Sequence, residues 1–177
     1  MAQAQFCTFH LAGLLFGVEL QGVQEVFVPL EMTRVPLAPP VVNGLINLRG
    51  QLVTALDLRR RLELEPRPEG MQSMNVVVLA EDGVVSLLVD EIGEVVQVDE
   101  STFEAPPETL QGAVRDVILG VHKLNGRLLH VLDIEQACKM VEQPQTVAAK
   151  PEHGGARLAG SDVGTEKEPG SMACSEE

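Results

Sequence analysis

Aromatic side chains are scarce in this chain of 177 residues, which has five Phe and neither Tyr nor Trp. Its hydrophobic content of 45% is nevertheless ordinary for a globular protein. The core must therefore be aliphatic, and its short runs rich in Val and Leu favour strands, because β-branched side chains suit a pleated surface. The lack of an aromatic stacking platform also argues against a nucleic-acid-binding barrel.

Basic residues are few as well, since 13 Lys and Arg face 26 Asp and Glu and leave a formal charge of −13. Binding to nucleic acid or to an anionic membrane needs concentrated positive charge, so both are disfavoured. No apolar run approaches the ~20 residues that cross a bilayer, so we expect no direct membrane insertion. The start "MAQAQF" lacks the features of a signal peptide, and we expect a cytoplasmic protein.

Signatures of catalysis and metal binding are missing too. The three cysteines are Cys7, Cys138 and Cys174. Their odd number and wide spacing predict neither a disulfide framework nor a zinc site. There is no phosphate-binding glycine loop, no H-E-x-x-H and no G-x-S-x-G. We therefore expect no catalytic residue, no cofactor and no metal.

One enzymatic alternative uses His122, His130 and Asp133. Strand alternation places the two histidines on one face, and we expect at least one of them to face solvent or an interface. No nucleophile or phosphate cradle accompanies the three side chains, so an active site is disfavoured. Their convergence in one pocket would favour it.

What the chain does contain is an internal repeat. A frame of glycines, leucines and one aspartate recurs 76 residues later without a gap, pairing Gly44 with Gly120, Leu48 with Leu124, Gly50 with Gly126, Leu52 with Leu128, Leu56 with Leu132 and Asp57 with Asp133. Upstream, at an offset of 69, Phe9 falls on Val78, Val18 on Leu87, Leu20 on Val89, Val23 on Ile92, Glu25 on Glu94 and Val26 on Val95. The repeat predicts two halves, about 5–70 and 71–140, each with about five short strands.

A sheet of five strands leaves exposed edges and cannot bury both faces alone, whereas closure into a barrel removes the edges. We therefore predict a mainly β fold with two similar five-stranded SH3-like β-barrel subdomains, interleaved and sharing a core, within residues 1–141. Short helices are expected after Asp57 and Asp133, because Asp caps a helix N-terminus. Residues 142–177 are rich in Gly, Pro and charge, and predict a disordered acidic tail.

Arg49 breaks the repeat, because its counterpart is Asn125. The fold therefore does not require arginine at this predicted turn, and a guanidinium offers a planar fork of donors for a carboxylate. We interpret Arg49 as a binding residue. The run "RRR" at 59–61 is interpreted as one solvated turn of a helix, with contact to an acidic partner as the alternative.

Three segments resemble the CheW family, the adaptors of bacterial chemotaxis signalling: "FGVELQGVQEVFVPLEMTRVPLAPPVVNGLINLRGQLVTALDLRRRL", "VVSLLVDEIGEVVQV" and "ILGVHKLNGRLLHVLDIEQ". The resemblance covers about residues 5–140. It implies two β-barrel subdomains separated by a groove, no catalysis, and a bridge between the cytoplasmic tips of chemoreceptors and the regulatory domain of the histidine kinase CheA. One departure is Thr54, where many relatives carry proline. The pathway is left open between flagellar chemotaxis and a non-flagellar system that controls surface motility or development.

The resemblance also implies site residues. Receptor contact falls on the "VQE" strand and its second-half counterpart, at Val23, Glu25 and Val95. Kinase contact falls on the "NLRG" turn, at Asn47, Arg49 and Gly50. Gly44 and Gly126 are expected to shape turns, and Leu52 to Leu58 to belong to the barrel core.

Overall fold

The strands are short and closely spaced, as the turn signals predict. A computed structural model describes residues 2–139, and the predicted tail, 142–177, lies outside them. Within the described residues the strands are β1 Gln3–Leu11, β2 Leu14–Glu19, β3 Val23–Phe27, β4 Val42–Leu48, β5 Gln51–Asp57, β6 Met74–Ala80, β7 Gly83–Val89, β8 Glu91–Asp99, β9 Phe103–Glu104, β10 Ile118–Leu124 and β11 Arg127–Leu132. The helices are α1 Leu58–Arg61, α2 Ala113–Asp116 and α3 Ile134–Cys138. None of the helices in this part of the chain has the length and apolar character needed to cross a bilayer.

The strands form two sheets that exchange segments between the halves of the repeat. One sheet has the order β8-β1-β2-β11-β10-β9 and the other has the order β3-β6-β7-β5-β4. The six-stranded sheet thus combines the hairpin β1–β2 of the first half with four strands of the second half, and the five-stranded sheet combines the hairpin β6–β7 of the second half with three strands of the first half. The parallel pairs β2–β11 and β5–β7 join the two contributions. The mainly β class with two similar sheets is confirmed, and the larger sheet gains the two-residue strand β9.

Three apolar clusters show how the sheets pack. One cluster lies within the six-stranded sheet and contains Phe6, Leu15, Val98, Leu129 and Val131. A second lies within the five-stranded sheet and contains Ile46, Val53, Ala55 and Leu88. The largest draws residues from both sheets, including Phe9, Phe16, Leu56, Val76 and Leu87. Each sheet therefore encloses a small core of its own and shares a larger core with the other.

Alternation along β1 accounts for this arrangement. The neighbours Phe6 and Cys7 point to opposite faces and belong to different clusters. A strand buried on both faces has a strictly specified register, because a slip by one residue would exchange its two apolar sets. Leu52, however, is 68% exposed, so its assignment to the core is wrong. The buried side chains of β5 begin at Val53.

Asp57 and Asp133 both cap helices, as predicted. The Asp57 carboxylate accepts from the backbone N–H groups of Arg59 and Arg60 at the start of α1. The Asp133 carboxylate accepts from the N–H of Gln136 in α3, at 3.0 Å. Both residues have extended backbone, which is the ordinary N-cap conformation.

Gly44 does not shape a turn, and this prediction is wrong. It lies inside β4, where an added Cβ would stand 2.7 Å from the carbonyl oxygen of Thr33. The segment before β4 pairs with the strand there, through the antiparallel bridge between Thr33 and Leu45. Gly120 occupies the equivalent place in β10, and its added Cβ would stand 2.5 Å from the carbonyl oxygen of Glu104 in β9. The repeated glycine therefore admits the close approach of a neighbouring backbone.

Candidate protein-interaction site

The turn between β4 and β5 consists of Arg49 and Gly50, whose φ angles are +51° and +90°. Two consecutive positive φ angles characterise a primed hairpin turn, whose twist matches that of the strands. The backbone N–H of Gly50 donates to Oδ1 of Asn47 at 2.8 Å and braces the turn. An arginine at the first position bears a conformational cost that Asn or Gly largely avoids. The turn therefore holds Arg49 in a defined and strained backbone position.

The side chain of Arg49 reaches from this turn to β3. Its Nη2 lies 2.6 Å from Oε1 of Glu25, with the two side chains 83% and 36% exposed. β3 and β4 are the two end strands of their sheet, so the ion pair links the ends of the curled sheet. Exposed ion pairs contribute only about 0–1 kcal/mol to stability, so both groups can exchange this contact for one with a partner. The structure thereby joins two residues that the family resemblance assigns to different partners.

A related pair occurs in the six-stranded sheet. Oε1 of Glu94, the counterpart of Glu25, lies 3.2 Å from Nη2 of Arg127. Arg127 is the counterpart of Gln51 and follows the turn. Both halves therefore have the glutamate, but only in the first half does its arginine partner belong to the turn itself.

The remaining predicted site residues take no part in this ion pair. Val23 is half-buried and packs against the large shared core. Val95 is 54% exposed, but it lies on β8, at the end of the other sheet. Gly126 occupies the turn between β10 and β11 with a φ of +78°.

Exposed apolar side chains flank the Arg49–Glu25 pair along the chain. Val26 and Val28 follow Glu25 and are 37% and 64% exposed, and Leu52 follows the turn. Apolar groups beside a charged pair are common in protein interfaces. The resemblance placed Leu52 in the core, but both Leu52 and its counterpart Leu128, which is 38% exposed, meet solvent.

The alternative enzymatic set does not converge. In the β10–β11 register His122 pairs with Leu129 and Val121 with His130, so the two imidazoles point to opposite faces. The expected common face is wrong because the two residues lie on different strands. Both side chains are buried, so neither histidine faces solvent. Nδ1 of His130 lies 2.9 Å from the carbonyl oxygen of Leu15, and Asp133 is a helix cap.

The arginine run is only partly solvated. Arg59 is buried, and its Nε and Nη2 donate to the Asp90 carboxylate at 2.8 and 2.6 Å. This hydrogen bond raises the pKa of Arg59. Burial opposes ionisation of Asp90, but hydrogen bonds from Arg59 and the Ala12 N–H, with the charges of Arg59 and Arg67, hold its pKa below the ordinary value. The expectation of a solvated run fails at Arg59, because its counter-charge lies 31 residues away in sequence.

The described thiols are not activated. Burial raises the pKa of Cys7, and burial together with Glu135 raises the pKa of Cys138 to about 12. A reactive cysteine requires the opposite shift. Among residues 2–139, no cluster of three or more His, Cys, Asp and Glu side chains is placed to hold a metal ion.

Two interleaved β-sheets around a shared core, with a charged turn at the surface, define a β-rich domain suited to protein–protein contact. The chain belongs to the CheW-like domain family, whose model matches residues 5–142. It is 29% identical to the chemotaxis protein CheW of Treponema pallidum, over 76% of this chain and 81% of the relative. It is 33% identical to the chemotaxis protein CheW of Bacillus subtilis, over 71% and 80%.

Two further similarities are to another relative and to a solved structure. Protein PilI of Pseudomonas aeruginosa is 30% identical over 64% of each chain. The crystal structure of the scaffolding protein TtCheW from Thermoanaerobacter tengcongensis superposes with a TM-score of 0.73 at 25% identity, covering 80% of this chain and 97% of that one.

Proposed function

We propose that this chain is a non-catalytic adaptor that couples chemoreceptors to a CheA-type histidine kinase, in the cytoplasm and within receptor arrays at the membrane. Family membership and the chemotaxis relatives support this role. The observation that carries it is the Arg49–Glu25 pair, since the pair is exposed, costs little to open and is held by a braced turn on a rigid domain. The whole adaptor domain is proposed to span residues 1–141.

The proposed surfaces follow the family pattern. The receptor contacts Val23, Glu25 and Val95, and the kinase regulatory domain contacts Asn47, Arg49 and Gly50. Because Glu25 and Arg49 hold each other in the free protein, a receptor that binds Glu25 releases the guanidinium for the kinase. The two partners are then coupled through one ion pair, and by linkage each changes the affinity of the other equally.

The test compares the two related ion pairs. Arg49→Ala and Glu25→Ala are assayed for binding to the kinase regulatory domain and to a receptor cytoplasmic fragment, with Arg127→Ala and Glu94→Ala as matched controls. We expect Arg49→Ala to weaken kinase binding at least about tenfold, which corresponds to about 1.4 kcal/mol. Glu25→Ala weakens receptor binding, and the control variants bind like wild type. If both test variants bind both partners normally, the site assignment is wrong.

A second candidate places the same adaptor in a non-flagellar chemosensory pathway that controls surface motility or development. The similarity to PilI favours it. Co-purification of the chain from its own cells distinguishes the two, because each pathway has its own kinase and receptors. Recovery of a kinase encoded with flagellar chemotaxis genes would exclude this second candidate.

A further inference from the structure

A cleft of about 320 Å³ lies on the six-stranded sheet, away from the Arg49 turn. Its lining includes Phe6, Glu19, Glu100, Phe103, Leu119 and His122. A second cleft of about 580 Å³ shares Glu19 and Glu100 with it and adds the side chains of several glutamines. The two clefts form a groove with carboxylates at the shared wall and aromatic rings at one end. Neither lining contains a Lys or Arg side chain.

His122 lines this cleft, and its hydrogen bond to Thr102 defines which ring nitrogen carries the proton. The hydroxyl of Thr102 donates its single proton to the carbonyl oxygen of Asp99 at 2.7 Å. Nδ1 of His122 lies 2.9 Å from the same hydroxyl oxygen, so Nδ1 must carry the proton and donate. In a neutral imidazole Nε2 is then the acceptor, and within residues 2–139 it has no hydrogen-bond partner. The side chain is only 2% exposed, and burial lowers the pKa of His122, which keeps the ring neutral.

Two aromatic rings flank the imidazole. The Phe6 ring centroid lies 5.5 Å from that of His122, and the Phe103 centroid lies 5.3 Å from it. Phe103 packs over Gly120, where a side chain would displace it, and it remains 45% exposed. Its ring therefore packs against the backbone on one side and offers the other face to a ligand.

We propose that this cleft binds an arginine side chain of a partner protein. A guanidinium has five N–H donors and no acceptor, which matches a cleft that offers two carboxylates and the Nε2 lone pair. Its planar cation also stacks on an aromatic face such as that of Phe103. Among residues 2–139 neither Glu19 nor Glu100 takes part in a salt bridge, so both charges remain available. The site is independent of the adaptor role proposed above, because it involves none of the same residues.

The experiment follows the His122 ring signals of the isotopically labelled full chain by NMR during titration with the peptide Ac-Gly-Arg-Gly-NH2. We expect saturable shifts at His122 and at Phe103. The matching citrulline peptide, which is neutral and otherwise similar, should cause none. A Glu19→Gln/Glu100→Gln double variant should bind the arginine peptide about tenfold more weakly, because two charge-assisted hydrogen bonds are lost.

Glu104→Gln is the matched control, since Glu104 lies beside Phe103 but pairs with Lys123 and is not part of the lining. It should bind the arginine peptide like wild type. Three results would overturn the proposal: no shift with the arginine peptide, equal shifts with the citrulline peptide or with the lysine analogue Ac-Gly-Lys-Gly-NH2, or an equal loss of binding in Glu104→Gln. Phe103→Leu, which keeps an apolar side chain, should weaken binding about threefold if the cation stacks on the ring.

Discussion

Two corners of the molecule are related by the repeat and are built with different chemistry. In the first corner the turn between β1 and β2 donates the N–H of Ala12 to Oδ2 of Asp90 at 2.8 Å. In the second corner the turn between β6 and β7 donates the N–H of Glu81, the counterpart of Ala12, to the carboxylate of Glu135 at 3.0 Å. In both corners a carboxylate accepts the N–H of the equivalent turn residue, although Asp90 and Glu135 belong to different parts of the two halves.

The surroundings of the two carboxylates differ. The Asp90 side chain is 4% exposed and receives both Arg59, at 2.6 Å, and Arg67, at 3.2 Å. Glu135 is itself the counterpart of Arg59 and binds its turn at the surface. The backbone arrangement therefore does not require a buried charge network. Where the charges are buried, however, the loss of one partner leaves the other charge desolvated and uncompensated, which is strongly destabilising.

The largest effect should come from Asp90→Ala. Removing this carboxylate leaves Arg59 and Arg67 in the interior without their main counter-charge, and we expect a loss of about 3–5 kcal/mol in the free energy of unfolding. Glu135→Ala, in the related corner, should cost less than about 1 kcal/mol because its hydrogen bond is exposed. Urea denaturation of the full chain measures both. Equal losses would show that the two corners are energetically alike.

The same comparison predicts a dependence on pH. The pKa of Asp90 is lower in the folded state than its unfolded value of about 3.9. Its charged form therefore contributes its full stabilisation above the unfolded pKa, and the contribution is lost as the pH falls through the lower folded pKa. The stability difference between wild type and Asp90→Asn should be constant from about pH 5 to 7 and shrink below pH 4. A stability difference that grows as the pH falls would contradict a lowered pKa of Asp90 in the folded state.

Substitutions at Gly44 and Gly120, where a neighbouring backbone comes close to the strand, should cause a loss of stability of intermediate size. Ala at position 44 would press against the carbonyl of Thr33, which is held beside β4 by the two backbone hydrogen bonds between Thr33 and Leu45. We expect Gly44→Ala to cost about 1–3 kcal/mol, as overpacking does. Gly120→Ala should cost less, because Phe103 and the two-residue strand β9 can move outward. Thermal unfolding of both variants tests this order, and a larger loss at Gly120 would reverse it.

Most of the fold was predicted from the alternation of apolar residues along the strands and from the internal repeat. The recurring frame predicted two similar sheets, and the isolated aspartates predicted both helix caps, because alternation and capping are local in sequence. The repeat could not explain Gly44, since a close approach between backbones depends on a neighbouring segment whose position the sequence does not reveal. Leu52 was also misplaced, because alternation along a strand does not reveal which of its two faces meets the core and which meets the solvent.

Contacts between distant residues could not be predicted. Asp90 and Arg59 belong to different halves, and no local pattern relates them. The two histidines were placed on one face by counting through a turn that reverses the chain. Arg49 was identified because it breaks the repeat, but its contact with Glu25 depends on the curl that brings β3 and β4 together. Departures from an internal repeat thus locate candidate site residues, whereas their partners require the structure.

The smallest change in stability is expected at the hairpin turns, of which one contains Arg49 and the other contains its counterpart Asn125. Arg49→Asn gives the first turn the residue that its counterpart has at position 125, and Asn tolerates a φ of +51° better than Arg does. The exposed pair with Glu25 contributes little, so we expect the stability to stay the same or to rise by up to about 1 kcal/mol. Kinase binding should nevertheless fall as far as in Arg49→Ala. Urea denaturation and the binding assay together separate the two roles: a marked loss of stability would mean that the fold requires the arginine, whereas unchanged stability with lost binding would mean that this strained arginine serves a partner.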